Sequence, residues 1–401
     1  MRTRLMITAL LGLALTIGGC TSSASTTPAT ATTPATTPPW SADIVGHGNK
    51  LLVLRTAETT SAPDALEVDD LASGEAARVW AAPLGWDARL LCADRNGIAI
   101  ALSRHGQSDI TPRITTVPGS GRLTKLSPTP VDQRIVVLHP DGSALQSSLP
   151  AGSIGVVSSA AFLGDTLVIA RQGPMFRYAT PAEPALMDAR GHFILLQTGA
   201  IRLDHRGLQS LVTLPEGGVA AGIFQGYGPM GAGPAMGVVH LRGGSLEVTE
   251  TAPRRRGRET PDRMAAGPST GTVIFAGTQG LGFVEDELVL ADVFSTPASD
   301  SVLASRVSPV WPYGPNGPAP EATMGGGRYV VALSLMGRAG YNSPAEPREL
   351  ASQPTTSSAL ATVDSSGKLH PTPVRLYAHP RQGGPDLPRA DTWLWLGAFG
   401  R

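Results

Sequence analysis

Short apolar or alternating runs, each bounded by Gly, Pro, Asp or Asn, recur along the chain. They lie at Lys50 to Arg55, Gly97 to Leu102, Arg134 to Leu138, Thr166 to Ala170, Phe193 to Leu196, Gly237 to Leu241, Thr272 to Ala276 and Tyr329 to Leu335. Runs of this length that carry β-branched residues and are separated by turn formers predict strands. Beyond the N-terminal segment, no window of about 12 residues has apolar positions at helical spacing with caps at both ends. With 47 Gly and 35 Pro, the chain is also rich in turn formers. The pattern predicts an all-β fold.

An internal repeat refines this expectation. A buried-looking strand, a second alternating strand, a tight polar turn carrying Gly and a third strand follow one another at Leu51 to Leu54 with Leu66 to Val79. The order recurs at Phe193 to Leu196 with Ala200 to Val212, and again at Tyr329 to Leu333 with Leu360 to Leu369. The Asp70-Leu-Ala-Ser-Gly74-Glu75 form of the first copy resembles blades of bacterial β-propellers of the PQQ-repeat, TolB and WD40-like kinds, without the Trp-Asp or Gly-His signatures. The resemblance covers three turns and implies a β-propeller. Blades of about 40 to 50 residues would fit about seven or eight times between Trp40 and Arg401. Pro/Gly-rich stretches at Pro309 to Pro320 and Ser343 to Pro354 read as long surface loops and favour about seven blades. A single four-stranded blade has two faces to bury, and radial packing buries both. The alternating segment Asp391 to Phe399 is expected to pair with a strand near Trp40 and close the ring. β-sandwich domains are the alternative architecture.

The N-terminus carries the longest apolar run. Leu5 to Ile17 follows Arg2 and Arg4 and ends in Ile17-Gly-Gly-Cys20. A charged start, a short apolar stretch and small residues before a cleavage point describe a signal peptide, whereas a spanning helix needs roughly 20 apolar residues. With Cys at the cleavage point, the segment resembles the lipobox of bacterial lipoproteins. The resemblance implies that Cys20 receives a diacylglyceryl thioether, that residues 1–19 are removed and that the mature chain is lipid-anchored on the extracytoplasmic face of the cell membrane. Two or three acyl chains, such as palmitate, anchor stably at about 0.8 kcal/mol per buried CH₂. Residues 21–39 contain only Thr, Ser, Ala and Pro. That composition offers no apolar face and predicts a disordered tether reaching roughly 60 Å at about 3.1 Å per residue. The chain thus divides into a signal peptide (1–19), the lipidated Cys20 with its tether (20–39) and a propeller-like domain (40–401).

Charge then narrows the partners. The precursor has a formal net charge of zero, and loss of Arg2 and Arg4 leaves the mature chain near −2, which argues against a nucleic-acid partner. The densest basic run, Arg254-Arg-Arg-Gly-Arg258, reads as a solvated loop. Once Cys20 is acylated, Cys92 has no intramolecular disulfide partner, and its apolar setting in Leu90-Leu-Cys-Ala-Asp94 predicts a buried, inert thiol.

Several patterns that suggest chemistry fail on context. Gly226-Tyr-Gly-Pro-Met-Gly231 matches a dinucleotide-binding loop, yet a strand follows where a helix N-terminus would have to face the pyrophosphate. Gly267-Pro-Ser-Thr-Gly271 matches a nucleophile elbow and is likewise followed by a strand. None of His47, His105, His139, His192, His205, His240, His370 and His379 has helical zinc-pair spacing. Asp141-Gly142 and Asp364-Ser-Ser-Gly367 read as hairpin turns and not as calcium loops. Met230, Met236 and Met264 sit among Gly and Pro and read as loop residues, not copper(I) ligands.

No catalytic, cofactor-binding or metal residue emerges, and Cys20 alone receives a role. Two functions fit: a non-catalytic module that binds a ligand, protein or glycan partner, or an exported propeller enzyme. The enzyme would be a quinoprotein dehydrogenase, lyase or hydrolase with its site at the central channel. Convergence of acidic, His or Arg side chains on a channel mouth would separate them.

Overall fold

The structure is a computed structural model. It describes residues 49–59, 61–94, 96–104, 113–116, 123–126, 132–150, 156–172, 185–195, 206–214, 218–225, 235–242, 245–251, 264–266, 271–278, 286–292, 300–305, 321–324, 328–334, 356–363, 369–379 and 389–395. Cys20, the tether, Trp40, the loops at Pro309 to Pro320 and Ser343 to Pro354, the basic run at Arg254 and the loop at Gly226 lie outside these residues. No helix among the described residues is long and apolar enough to cross a membrane.

All regular elements described are strands, and all pairs are antiparallel. β1 (Lys50–Arg55), β2 (Ala65–Asp70) and β3 (Ala76–Ala81) form a sheet with the C-terminal β27 (Thr392–Trp395), in the order β27-β1-β2-β3. A second sheet joins β4 (Asp87–Asp94), β5 (Gly97–Arg104), β8 (Asp132–Leu138) and β9 (Ala144–Ser148). The ribbon β6 (Arg113–Thr116) and β7 (Leu123–Leu126) is inserted between β5 and β8. The third sheet is β10 (Val156–Leu163), β11 (Thr166–Gln172), β12 (Ala185–Met187) and β13 (Phe193–Leu195). The fourth is β14 (Arg206–Thr213), β15 (Val219–Gln225), β16 (Ala235–Arg242) and β17 (Ser245–Thr251). The fifth is β18 (Met264–Ala266), β19 (Thr272–Thr278), β20 (Asp286–Asp292) and β21 (Asp300–Ser305). The sixth holds five strands, β22 (Glu321–Met324), β23 (Arg328–Ser334), β24 (Thr356–Val363), β25 (Leu369–His379) and the short β26 (Arg389–Ala390). Six sheets of four or five strands are therefore seen among the described residues, against the about seven blades expected.

The second strands of the first three sheets are apolar on both sides for a reason. In β1, Leu52 and Leu54 face the second sheet, while Leu51 and Val53 face the sixth. In β5, Ile98, Ile100 and Leu102 pack toward the first sheet and Ala99 and Ala101 toward the third. β11 divides Leu167 and Ile169 from Val168 and Ala170 in the same way. Side chains alternate along a strand, so a continuous apolar run supplies two interfaces at once. The outermost β3 and β9 are exposed or half-buried along their whole length.

First strands of successive sheets lie against one another, with contacts linking β27 to β4, β4 to β10, β10 to β14, β14 to β18, β18 to β22 and β22 to β27. Side-chain oxygens stitch several of these neighbours together. Thr392 Oγ1 accepts the Leu90 N–H at 3.1 Å, Ser159 Oγ accepts that of Leu211 at 2.9 Å and Thr213 Oγ1 accepts that of Phe162 at 3.0 Å. β4, β10 and β14 each carry a register shift near the middle, at Leu90/Cys92, Val157/Ser159 and Leu208/Ser210. Such bulges increase local twist.

The first and third repeat copies are equivalent: β1-β2-β3 and β23-β24-β25 occupy the same places in their sheets. The second copy is not. Phe193–Leu195 is the last strand of the third sheet and Arg206–Thr213 the first of the fourth, so its apparent hairpin is a connection between sheets. The C-terminal strand does pair near the N-terminus of the described chain, with Trp393 opposite Val53 and Thr392 opposite Leu54.

At the junction of the first and sixth sheets, charge reinforces this pairing. Arg55 donates Nε to Glu67 at 3.3 Å, Nη1 to Asp391 at 3.0 Å and Nη2 to Asp69. Asp391, 1% exposed, also accepts the N–H groups of Thr56 at 2.9 Å and Tyr377 at 3.0 Å. Burial opposes the Arg55 charge, but Asp69, Asp391 and Glu67 outweigh it and hold Arg55 firmly cationic. Burial pushes the Asp69 carboxyl up to about 6, beyond what Arg55 returns, with Glu67 and Asp391 adding repulsion. One cation serves three carboxylates, and Asp69 Oδ1 is left buried without a hydrogen-bond partner.

Two outcomes follow from this junction. Replacing Arg55 with Met strands buried carboxylates and should lower unfolding free energy by about 3 to 5 kcal/mol in urea titrations at neutral pH. For Asp69, the unfolded chain loses its proton near the ordinary value of 3.8 and the folded chain near 6, so stability falls as pH rises between them and is flat above. Thermal melts across that window should show the fall, on the order of 3 kcal/mol at full extent, and Asp69→Asn should remove it.

Candidate functional site

The tight turns that join first to second and third to fourth strands lie at one end of the sheets. Where those of the second and third sheets meet, they frame a cleft of about 160 Å³. Its floor is the open end of the apolar interface between the two sheets: Val137 from β8, Leu145 from β9, Phe162 from β10, Leu167 from β11 and Met187 from β12. Asn96, His139, Asp165, Asp188 and Ala189, all at or beside the turns, form the rim.

Each turn is built by its own sequence. In the turn after β12, Asp188 Oδ1 accepts the N–H groups of Arg190 at 2.9 Å and His192 at 2.8 Å, while Oδ2 meets His192 Nδ1 at 3.2 Å. Burial works against the Asp188 anion, but those N–H groups and the His192 ring outweigh it and hold the carboxyl below its ordinary value. The corresponding turn of the second sheet has Asp141 Oδ1 accepting the Ser143 hydroxyl at 2.6 Å and its N–H at 2.8 Å, which likewise lowers the Asp141 pKa. In the first sheet, Asp70 Oδ1 accepts from Ala72 and Ser73, and Lys50 together with these N–H groups holds its carboxyl at about 2. An Asp that caps the following amides is a mechanism for setting a turn.

Asn96 bridges the two sheets. Its Nδ2 donates to Asp94 Oδ2 and to the Gly164 carbonyl, both at 3.0 Å, and its own carbonyl lies 3.1 Å from His139 Nδ1. A carbonyl only accepts, so His139 carries a proton on Nδ1, and in the neutral imidazole Nε2 is an acceptor. Apart from Asn96 Nδ2, whose two hydrogens are engaged, the side chains of the rim therefore offer acceptors.

The residues singled out in the sequence fall mainly elsewhere. Cys20 lies outside the described residues. Cys92 is buried, 7% exposed, in the interface between the second and third sheets, as its apolar run predicts. His139 comes to the cleft rim and His192 pairs with rim residue Asp188, whereas His240 sits in β16 and His370 in β25. His47, His105 and His205 are outside the described residues. Met236 and Met264 are strand residues and not the loop residues expected: Met236 is fully buried in the core within β16 and Met264 opens β18. A strand follows Gly271 directly, in line with rejection of the elbow. Among the described residues, no group of three or more His, Cys, Asp or Glu is placed to hold a metal ion. Asn96, Asp165 and Asp188 were not anticipated. Asp188-Ala-Arg-Gly191 repeats the Asp-then-Gly turn of Asp70 to Gly74, and that recurrence was the available signal.

Gly191 couples the turn to the cleft wall. It has a φ of 82°, and a Cβ there would lie 2.2 Å from Ser147 Oγ and 3.2 Å from Leu145 Cδ1. Gly191→Ala combines an unfavourable backbone with overpacking and should cost about 2 kcal/mol or more in chemical denaturation.

No protein-family model matches the sequence, and no curated protein matches it. Among solved structures, the chain is similar to TolB from Acinetobacter baumannii, with a TM-score of 0.41 and 12% identity over 86% of this chain and 66% of that one. A chain of the nidogen/laminin complex gives a TM-score of 0.40 and 11% identity over 86% and 97% of the respective chains. The periplasmic gluconolactonase PpgL of Pseudomonas aeruginosa gives 0.36 and 15% identity over 81% and 82%. These neighbours are β-propeller proteins of varied function.

Proposed function

We propose that this chain is a lipid-anchored binding module on the extracytoplasmic face of the cell membrane, built as a six-bladed propeller, with its ligand or protein partner received at the cleft between the second and third sheets. The propeller reading draws support from the two-faced burial of the second strands, the circular order of contacts among the first strands and the pairing of β27 with β1. Six blades of about 60 residues replace about seven shorter ones, since the β6–β7 insertion and the long connections take up the length of a further repeat.

The cleft carries the binding reading. Its floor is apolar, its rim is polar and its turns are pinned by their own hydrogen bonds, so a ligand meets a preformed surface. Asp188 is held as a weak base by three donors. Such a carboxylate suits anchoring a ligand, because a general base works best with a pKa near the operating pH. The Cys20 lipobox resemblance and the Thr/Ser/Ala/Pro tether supply the address and the reach.

Membrane fractionation tests the anchor. The wild-type chain should sediment with membranes and Cys20→Ala should move to the soluble fraction; equal sedimentation of both would sink the lipid anchor. For the binding role, crosslinked partners of the anchored chain should be lost on Ala189→Trp, which places a large side chain at an exposed rim position. Retention of the same partners would remove the cleft from the proposal.

A further inference from the structure

The cleft's chemistry is one-sided, and this points to a class of occupant; the inference rests on the binding role proposed above. With Asn96 Nδ2 committed to Asp94 and Gly164, the rim side chains present Asn96 Oδ1, His139 Nε2 and the carboxylates of Asp165 and Asp188. With His139 neutral all four are acceptors, and two of them are carboxylates. Asp94 and Asp141 stand in the adjoining turns and deepen the negative field, against the exposed Arg190 and the pairing of His192 with Asp188. Beneath them lie buried Val137, Phe162, Leu167 and Met187. A ligand that matches this surface has an apolar stem and a donor-only cationic head.

Size narrows the class further. Small-molecule sites span about 300 to 1,000 Å³, so a cleft of about 160 Å³ suits a single side chain better than a whole cofactor. We infer that the cleft receives an arginine or lysine side chain of a partner protein, its methylenes on the Val137–Phe162–Leu167–Met187 floor and its cation between Asp165 and Asp188. Long basic side chains combine these two halves, since their stems cover apolar surface while the head seeks polar partners. Asp165 is the more available of the two carboxylates: it is exposed in the Gly164-Asp165 turn, whereas Asp188 already accepts three hydrogen bonds.

Saturation-transfer NMR on the detergent-solubilised full chain tests the inference, with N-acetyl-arginine amide as probe and N-acetyl-citrulline amide as its uncharged counterpart. The arginine probe should bind saturably and about tenfold more tightly than the citrulline probe, as charge-assisted hydrogen bonds outweigh neutral ones. Asp165→Asn should weaken the arginine probe about five- to tenfold while leaving the melting temperature unchanged, because the residue is exposed in a turn. Ala189→Trp should abolish binding of both. Equal binding of the two probes, both lost in Ala189→Trp, would overturn the cationic occupant and leave a binding cleft standing. Binding of neither probe above the Ala189→Trp level would overturn this inference and the cleft's place in the proposed function together, while the Cys20 anchor would stand or fall by fractionation alone.

Discussion

The structure depends on one constraint: the second strands whose side chains are described, β1, β5, β11 and β15, are apolar on both faces and have to be covered on both. A strand such as Leu51-Leu-Val-Leu54, with every side chain fully buried, is unstable at the surface of a single sheet. Each such side chain is worth about 1.5 to 3 kcal/mol when withdrawn from water. Stacking a sheet on either side meets the requirement for the middle of a series but leaves its two ends uncovered. The first sheet meets the sixth through Leu51, Val53, Trp393, Leu360, Val374 and Leu376, which covers the second face of β1.

The junction of the first and sixth sheets is chemically different from that of the third and fourth. Between the third and fourth sheets, neutral hydroxyls of Ser159 and Thr213 satisfy backbone groups of the neighbouring strand. At the first and sixth sheets, the half-buried Arg55 guanidinium gathers Glu67, Asp69 and Asp391, which come from strand β2 and from the residue before β27. Buried ion clusters are poor sources of net stability, since desolvation consumes much of the attraction. They do penalise a misplaced partner heavily. A β27 shifted by one residue would turn its side chains to the opposite faces and part Arg55 from Asp391, so the cluster selects one register for the pairing that joins the ends.

The cleft follows from the same stacking. Two sheets that pack face to face keep their apolar interface covered along the strands, and the cover thins where the chain turns back. Turns need Asp, Asn and Gly for conformational reasons, so acceptor side chains collect around an exposed apolar floor. The bridge from Asn96 to Gly164 and the close approach of Gly191 to Ser147 fix the spacing of the two rims. A surface assembled for folding thereby acquires a defined recognition chemistry.

Strand type and approximate position were legible in the sequence, because alternation and apolar runs are local signals: Lys50–Arg55, Arg134–Leu138 within β8 and Thr166–Ala170 within β11 stand where their patterns place them. Burial of Cys92 was legible for the same reason, as was the turn at Asp141-Gly142. Grouping of strands into sheets was legible only in part: the first and third repeat copies and the pairing of the Asp391 segment stand as expected, and the second copy does not. Phe193 and Arg206 look like parts of one hairpin locally, yet belong to successive sheets, because the turn and the longer connection share polar and glycine-rich composition. The cleft was hidden likewise, since Asn96, His139, Asp165 and Asp188 are separated by 92 residues along the chain and are brought together by packing of two sheets. By itself the sequence determined which segments are strands and that their faces are apolar, since both are set by neighbouring residues. Tertiary structure alone decided where the second repeat copy divides between sheets, which sheets meet and which acceptors share a cleft, because these depend on contacts between residues that no local pattern links.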